Sequence, residues 1–530
     1  MDIYRLSAEQ SNLPAHPRSI AIGVFDGVHR AHREVIEQVI GVEGMTPTVL
    51  TFSGSPHQLP KHARALATRT RKQELLQNLG VKELLELDFE EIRALSPTAF
   101  VQDILHDKLH AGVVACGENF RFGHGGSGDL HTLQTLCEPL GIRVIAVPTL
   151  LDGGLPISST RIRGLIAAGD IAEANRLLGS FYTIRETVVD GNHLGRTAGF
   201  PTVNQPLPED AVWPAFGVYA ATVLVDGKSY IGVTNIGRKP TVGSDRPLAE
   251  TWILDYEGDL YGRTLTLWPV KFIRPERTFP TTDALFAQVA KDAEMIREMF
   301  RPTGKTRAVL FDLDDTLHSR VEAWRAFARR YVDRLLPDRS ESERAAHAHR
   351  LWERGGCGHG YPTTDFVDFY TPDLIAGLKE DAGLPQSLEE LVDLYLPMFP
   401  EHTTVFPDAV PTLVTLREQG YKVGFITNGP SLLQNRKLHF SGLLPLMDCA
   451  VVAGDEGVSK PDPELFIRTA LRLGVAPEDC VYVGDNPRAD IGGAKSAGLR
   501  PVYIDRTDER FPVGDDVPRI TELKELFSLL

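Results

Sequence analysis

Two aspartates two residues apart, Asp312 and Asp314, lie in Phe311-Asp-Leu-Asp-Asp-Thr-Leu317, directly after the apolar run Ala308 to Phe311. Carboxylates at that spacing, in a loop at the end of a strand, can share a magnesium ion and leave one oxygen as a nucleophile toward phosphorus. The remaining parts of such a site follow in order along the chain. Thr427-Asn428 offers a hydroxyl and an amide for phosphoryl oxygens, Lys460 before Pro461 offsets negative charge, and Gly484-Asp485-Asn486-Pro487-Arg488-Ala489-Asp490 brings further carboxylates. A lone aspartate in a loop is usually a turn former, but four such segments in order, each after an apolar run, argue for one phosphoryl-transfer centre.

Two more constellations precede it. In Gly23-Val-Phe-Asp-Gly-Val-His-Arg-Ala-His32, His29 and His32 stand three residues apart at the expected start of a helix. There, exposed N–H groups and the helix dipole favour a phosphate. Ile157-Ser-Ser-Thr-Arg-Ile-Arg163 places Ser159, Thr160 and Arg161 at a second helix start. Singly, either histidine would read as a cap or a core residue; together in one α/β unit the segments read as a triphosphate site. Gly195-Arg-Thr-Ala-Gly-Phe-Pro-Thr-Val-Asn204, with Glu250 downstream, holds residues of the types a kinase needs: a backbone cradle for phosphates, oxygen ligands for magnesium and a base near the accepting hydroxyl.

The elements that must position these groups are visible as periodicities. Short apolar runs at Ile20 to Ile22, Thr48 to Leu50, Val113 to Ala115 and Val144 to Val147 alternate with helical patterns, the mark of a parallel α/β sheet. From about Tyr182 to Phe272 the pattern turns to β runs broken by Asp190-Gly191 and Asp226-Gly227, which reads as a small antiparallel barrel closed by a helix from Thr282 to Phe300. Apolar runs at Ala308 to Phe311, Val423 to Ile426, Val451-Val452 and Val481 to Val483 then predict another parallel sheet. The fold class expected is α/β with a small antiparallel barrel in the middle, and 530 residues is too long for one core.

A formal net charge of −15 excludes a broad basic face for nucleic acid or anionic lipid. Five cysteines without a CxxC pair, an N-terminus carrying Asp2, Arg5 and Glu9, and the lack of a membrane-length apolar run lead us to expect a cytoplasmic protein with no membrane contact.

With these segments in place, residues 1 to about 300 resemble the bacterial bifunctional riboflavin kinase/FMN adenylyltransferase family. Gly117-Glu-Asn-Phe-Arg-Phe-Gly123 resembles its flavin-side loop, which implicates Asn119 and Arg121. The resemblance implies a nucleotidyltransferase (Rossmann-like) domain at 1–181 and a β-barrel riboflavin kinase domain at 182–300, with riboflavin, FMN, FAD and ATP as substrates and products. It gives His29, His32, Ser159, Thr160 and Arg161 to ATP, Thr202 and Asn204 to metal and nucleotide, and makes Glu250 the base for the ribityl hydroxyl. The chain departs from the family at Ala31, where glycine is usual, at Ser55-Pro56, where His-Pro is usual, and at Trp252, where histidine commonly follows Glu-Thr.

After a linker at 301–306, residues 307–530 resemble the haloacid-dehalogenase-like phosphatases, with a helical cap at about 319–405. That resemblance makes Asp312 the phosphoaspartate and Asp314 the acid/base. It also gives Thr427, Asn428 and Lys460 to the phosphoryl group, and Asp312, Asp314 and Asp485 to Mg2+ with Asp490 beside them. His359 and Tyr361 are candidate cap contacts. The substrate implied is a small phosphorylated metabolite, first 5-amino-6-(5-phosphoribitylamino)uracil, then FMN, then a nucleotide. An alternative holds that the N-terminal module binds flavin or nucleotide without catalysing.

Overall fold

The computed structural model describes residues 1–6, 13–53, 64–190, 200–238, 246–354, 372–506 and 512–530. Gly195, Ser55, Pro240, Thr241, His359 and Tyr361 lie outside them.

The first sheet has six strands in the order β1-β4-β3-β2-β5-β6: Asp2–Leu6 (β1), Arg18–Ile22 (β2), Thr46–Ser53 (β3), Glu83–Asp88 (β4), Ala111–Gly117 (β5) and Arg143–Val147 (β6). Every neighbouring pair is parallel, so helical crossovers cover the faces and the central strands read as continuous apolar runs. Ile20, Leu50, Leu85 and Val114 are its buried core. Order reverses between β2 and β5, the place where open parallel sheets bind ligands at their carboxyl ends. A short hairpin, Leu151–Asp152 (β7) with Leu155–Pro156 (β8), follows.

The second sheet, order β10-β13-β12-β11-β14-β9, comprises Ile184–Thr187 (β9), Thr202–Pro206 (β10), Gly217–Val225 (β11), Lys228–Gly237 (β12), Leu248–Ile253 (β13) and Thr264–Pro275 (β14). It is barrel-like, and β11 and β14 run antiparallel with two register shifts that bend the ribbon. The expected closing helix is Thr282–Met299.

The third sheet, order β17-β16-β15-β18-β19-β20, is again parallel: Ala308–Phe311 (β15), Lys422–Thr427 (β16), Cys449–Val452 (β17), Cys480–Gly484 (β18), Arg500–Ile504 (β19) and Arg519–Ile520 (β20). Helices Arg320–Leu335, Glu341–Arg354, Pro372–Ala382 and Leu388–Met398 are inserted between β15 and β16 and share their own core around Trp324, Phe327 and Tyr395.

Two compact units result: Met1–Glu186 with Gln205–Phe216 and Ile236–Ala249, and Thr187–Asn204 with Gly217–Asn235 and Glu250–Leu530. Within the second, Leu471 of helix Pro463–Arg472 joins Val218, Ala220, Leu254 and Ile296 in one apolar cluster, and the Arg472 guanidinium stacks 3.8 Å over the Trp268 ring. The expected linker is held there too, because buried Asp479 accepts hydrogen bonds from Thr303 N at 2.9 Å and Gly304 N at 3.1 Å. The four described cysteines are buried and unpaired, and no described helix is long and apolar enough to cross a membrane.

Candidate functional site

At the carboxyl end of β2 the chain makes a tight left-handed passage: Phe25 (φ 50°), Gly27 (φ 78°) and Val28 (φ 45°). A positive φ at a β-branched residue is costly and persists only where surroundings over-determine it, commonly at a ligand site. Gly27 is required twice over, since a Cβ would also lie 2.7 Å from that of Leu66. The turn delivers His29 as the cap of helix Arg30–Glu37, its Nδ1 accepting from His32 N at 3.4 Å, and stacks the two imidazoles with centroids 3.6 Å apart. Burial pushes both down, His29 to about 3, so both are neutral near pH 7. Nδ1 of His32 has no hydrogen-bond partner among the described residues, the kind of orphan that collects at functional sites.

Ser159 begins helix Ser159–Ala168 and donates to Asp26 O at 3.2 Å. Arg163 donates to the Asp26 carboxylate at 2.9 Å, so the two motif segments are joined through Asp26. Thr160 is exposed at that helix start, whereas Arg161 is turned to Asp152 and Glu173, 3.4 Å from each carboxylate. Lys72, which sequence reasoning missed, donates to Val24 O at 2.7 Å and Thr51 Oγ1 at 3.0 Å, and burial lowers its amine to about 8. Nothing in its local pattern separates it from the other basic residues of helix Arg69–Asn78.

After β5, Phe120 and Phe122 stack at 5.8 Å and, with Phe52, Phe89 and Phe100, wall a cavity of about 550 Å³. Arg121 lies at its edge, 3.5 Å from Asp129, and Asn119 is exposed in the same loop. Flat aromatic walls of this kind suit a fused-ring ligand.

On β10, Thr202 and Asn204 share one face by the two-residue repeat of a strand. Thr202 Oγ1 donates to Glu250 Oε1 at 3.0 Å, and the buried Asn204 Oδ1 has no hydrogen-bond partner among the described residues. A carboxylate, a hydroxyl and an unsatisfied amide oxygen are hard donors of the type magnesium takes. Trp252 packs edge-on to Phe200 at 4.8 Å.

In the third sheet β16, β15 and β18 are neighbours, so Thr427, Asp312 and Asp485 leave adjacent strand ends on one edge. Asp312, Asp485 and Asp490 offer oxygens all within 4.8 Å of one another. Gly484 makes that approach possible, because a Cβ there would lie 2.5 Å from the Asp490 carboxyl. Lys460 Nζ bonds Asp312 and lies 2.7 Å from Asp490. Burial, then neighbouring carboxylates, raise Asp485 well above the usual range, and burial raises Asp312 to about 7 against the pull of Lys460. Among the described residues five aspartates and three cations, Arg320, Lys437 and Lys460, line the cavity, and the crowding that raises Asp312 and Asp485 is what a divalent ion would relieve.

Asp312, Asp485 and Asp490 form the three-carboxylate group that could hold a metal, and the Asp314 carboxylate lies outside it. Asp314 is instead clamped by Lys437 Nζ at 2.7 and 2.9 Å, with Gln434 at 3.2 Å and His318 Nε2 at 2.6 Å. Burial would raise it, but Lys437 and His318 hold it well below the usual carboxylate range. Asn428 clasps the Lys460 backbone, donating to its O and accepting from its N, each at 2.9 Å. Lys437, Gln434 and His318 escaped the sequence reading; the one available signal is two polar residues three apart on the helix Ser431–Ser441, right after Thr427-Asn428.

Comparison with known proteins gives three family matches: FAD synthetase over residues 12–161, riboflavin kinase over 178–300, and haloacid dehalogenase-like hydrolase over 306–498. A bifunctional riboflavin kinase/FMN adenylyltransferase of Escherichia coli is 39% identical over 298 residues, covering 55% of this chain and 95% of that protein. Its counterpart in Listeria monocytogenes is 36% identical over 290 residues, 53% and 92%. Among solved structures, one titled a macrolide-efflux protein from Streptococcus pneumoniae superposes with TM-score 0.50 and 28% identity, over 56% of this chain and 99% of that one.

Proposed function

Since the chain belongs to the bifunctional riboflavin kinase/FMN adenylyltransferase family and carries a haloacid dehalogenase-like hydrolase domain behind it, we propose that it phosphorylates riboflavin, adenylylates the FMN, and hydrolyses a small phosphomonoester, in modules at 1–181, 182–300 and 307–530 with a linker at 301–306 and a cap at about 319–405. The observation that carries the synthetic half is the match across nearly the whole length of the Escherichia coli relative.

In the kinase module Glu250 takes the proton of the ribityl hydroxyl as the hydroxyl oxygen attacks the γ-phosphorus of ATP, the bond to the β,γ-bridging oxygen breaks and ADP leaves. Thr202 and Asn204 hold the metal and nucleotide, and Gly195 contributes to the phosphate cradle. Magnesium, when bound, offsets charge on the phosphate oxygens. In the N-terminal module an FMN phosphate oxygen attacks the α-phosphorus of ATP and pyrophosphate leaves. The contribution of His29, His32, Ser159, Thr160 and Arg161 is alignment and charge stabilisation, while Asn119 and Arg121 face the flavin.

In the hydrolase Asp312 attacks phosphorus and Asp314, which Lys437 and His318 keep acidic and which must gain a proton before this step, protonates the departing ester oxygen; water then cleaves the acyl phosphate with Asp314 as base. Thr427, Asn428 and Lys460 hold the phosphoryl oxygens, and Asp312, Asp314 and Asp485 hold Mg2+ with Asp490 beside them. The substrate ranked first is 5-amino-6-(5-phosphoribitylamino)uracil, which precedes riboflavin. FMN ranks second because its hydrolysis would undo the kinase step. A cytoplasmic setting supplies the ATP.

The test is product analysis of the full chain with magnesium, ATP and riboflavin beside an Asp312→Ala variant. Equal FMN and FAD from both supports synthesis with hydrolysis directed elsewhere. Accumulation in the variant alone makes the hydrolase an FMN phosphatase, and no FMN from either sinks the kinase assignment.

A further inference from the structure

A nucleoside triphosphate is strongly anionic, and the motif residues of the N-terminal module offer it little uncommitted positive charge. His29 and His32 are neutral near pH 7. Arg161 faces Asp152 and Glu173, and Arg163 is paired with Asp26. Lys72 differs from all of these. Its ammonium donates to Val24 O at 2.7 Å and to Thr51 Oγ1 at 3.0 Å, both neutral groups, and among the described residues no carboxylate pairs with it. Asp26 and Glu86 favour its charge and Arg69 opposes it, each from beyond contact.

Three elements set the place of that ammonium. Val24 follows β2, Thr51 lies on β3, and Lys72 stands in the first turn of helix Arg69–Asn78. The ammonium therefore sits at the carboxyl ends of two neighbouring parallel strands, the edge where open α/β sheets bind ligands. Thr51 Oγ1 also donates to Val24 O at 3.1 Å, which fixes the seat. His29 and His32 open the helix that leaves the same strand β2, and Lys72 is near enough that its charge joins burial and His29 in pushing His32 down. The lysine is half-buried, and one N–H of its ammonium is left without an acceptor among the described residues. A cation drawn out of water and held only by neutral groups is unfavourable, and an anion at that N–H removes the cost.

We infer that Lys72 is a catalytic residue of FMN adenylylation, its ammonium binding a non-bridging oxygen of the α-phosphoryl group of ATP. This rests on reading the N-terminal module as an FMN adenylyltransferase. As an oxygen of the FMN phosphate bonds to the α-phosphorus, the bond from that phosphorus to the α,β-bridging oxygen breaks and pyrophosphate leaves with the electron pair. No proton moves, and Lys72 stays an ammonium throughout. The α-phosphoryl group is where the two anionic substrates meet, so a single cation counts most there. The neutral imidazoles then orient by hydrogen bonds, and Lys72 supplies the charge that they lack.

The test follows initial rates of FAD formation from FMN, ATP and magnesium by the full chain, beside FMN formation from riboflavin and the melting temperature. Lys72→Met should lower kcat for FAD by about 10²-fold or more, the scale of losing one donor to a reacting oxyanion, with FMN formation and melting unchanged. Lys72→Arg, which keeps a cation, should recover part of that loss. Thr51→Val keeps the ammonium and removes one bond of its seat, and should lower the same kcat by about twofold to tenfold. Should Lys72→Met fail to fold, Thr51→Val decides: a parent-like kcat overturns the inference, and a lowered kcat with parent-like melting upholds it. FAD formation by a folded Lys72→Met chain equal to the parent's overturns it too, and so does a loss confined to KM for ATP, which would take the lysine off the reacting phosphoryl group. Those results leave the adenylyltransferase reading intact, whereas a parent chain that makes no FAD sinks that reading and the inference together.

Discussion

Lys437 shows how one residue can govern another's chemistry. Its buried ammonium holds both oxygens of Asp314, whose side chain is 24% exposed. Removing one partner of such a pair leaves a charge uncompensated, a loss of about 3–5 kcal/mol where burial is complete. Lys437→Met should therefore lower phosphatase kcat by about tenfold or more, approaching part of the 10²–10⁴ that a positioned acid contributes, with Lys437→Arg recovering some of it; a steady-state rate assay decides. At the stacked histidines the expectation is separable activities. His29→Ala should abolish FAD formation and leave FMN formation unchanged, and FAD output equal to the parent's would mark the N-terminal module as a binding element. Ala31 lies half-buried in the first turn of that helix, where its methyl is accommodated.

Helix Pro463–Arg472 serves two structures at once. Its Arg468 and Arg472 grip Glu456, at 3.0 Å and at 2.6 and 2.9 Å, while Leu471 enters the cluster with the barrel strands. Burial would raise the Glu456 carboxyl, but Arg472 and Arg468 outweigh it and hold it at about 2. Because the folded value is depressed, the stabilisation is complete above the ordinary glutamate range and is lost as pH falls from about 4.5 toward 2. Glu456→Gln should cost about 2–3 kcal/mol at pH 7. It should also flatten the acid limb of the stability curve, which denaturant melts at pH 7, 4 and 3 would read out.

Across the second compact unit, barrel and hydrolase share apolar burial at Leu471 and the Arg472–Trp268 stack. A cut at the linker would expose that surface and strip Asp479 of its partners at Thr303 and Gly304. A fragment beginning at residue 305 should melt below the same domain in the full chain, by about 2–4 °C for each kcal/mol lost. Trp268→Ala in the intact chain should lower the hydrolase transition in calorimetry. An unchanged transition would mean the two parts are thermally independent.

The motifs carried most of the first-order answer. The short runs before Asp312, Thr427 and Asp485 read as strands because a buried parallel sheet needs apolar residues on both faces, and that need is local to each segment. The resemblance of residues 1 to about 300 gave Thr202, Asn204 and Glu250 before any contact was known, and Glu250 does lie against Thr202. Tertiary structure alone decided what comes from distant segments. It brought Lys437, Gln434 and His318 to Asp314, and tied Ser159 and Arg163 to Asp26 of the first motif. It also set the two cavities at about 550 and 140 Å³. A strand or helix start declares itself within a few residues, whereas the partner of a buried charge is fixed by packing between elements far apart in the chain.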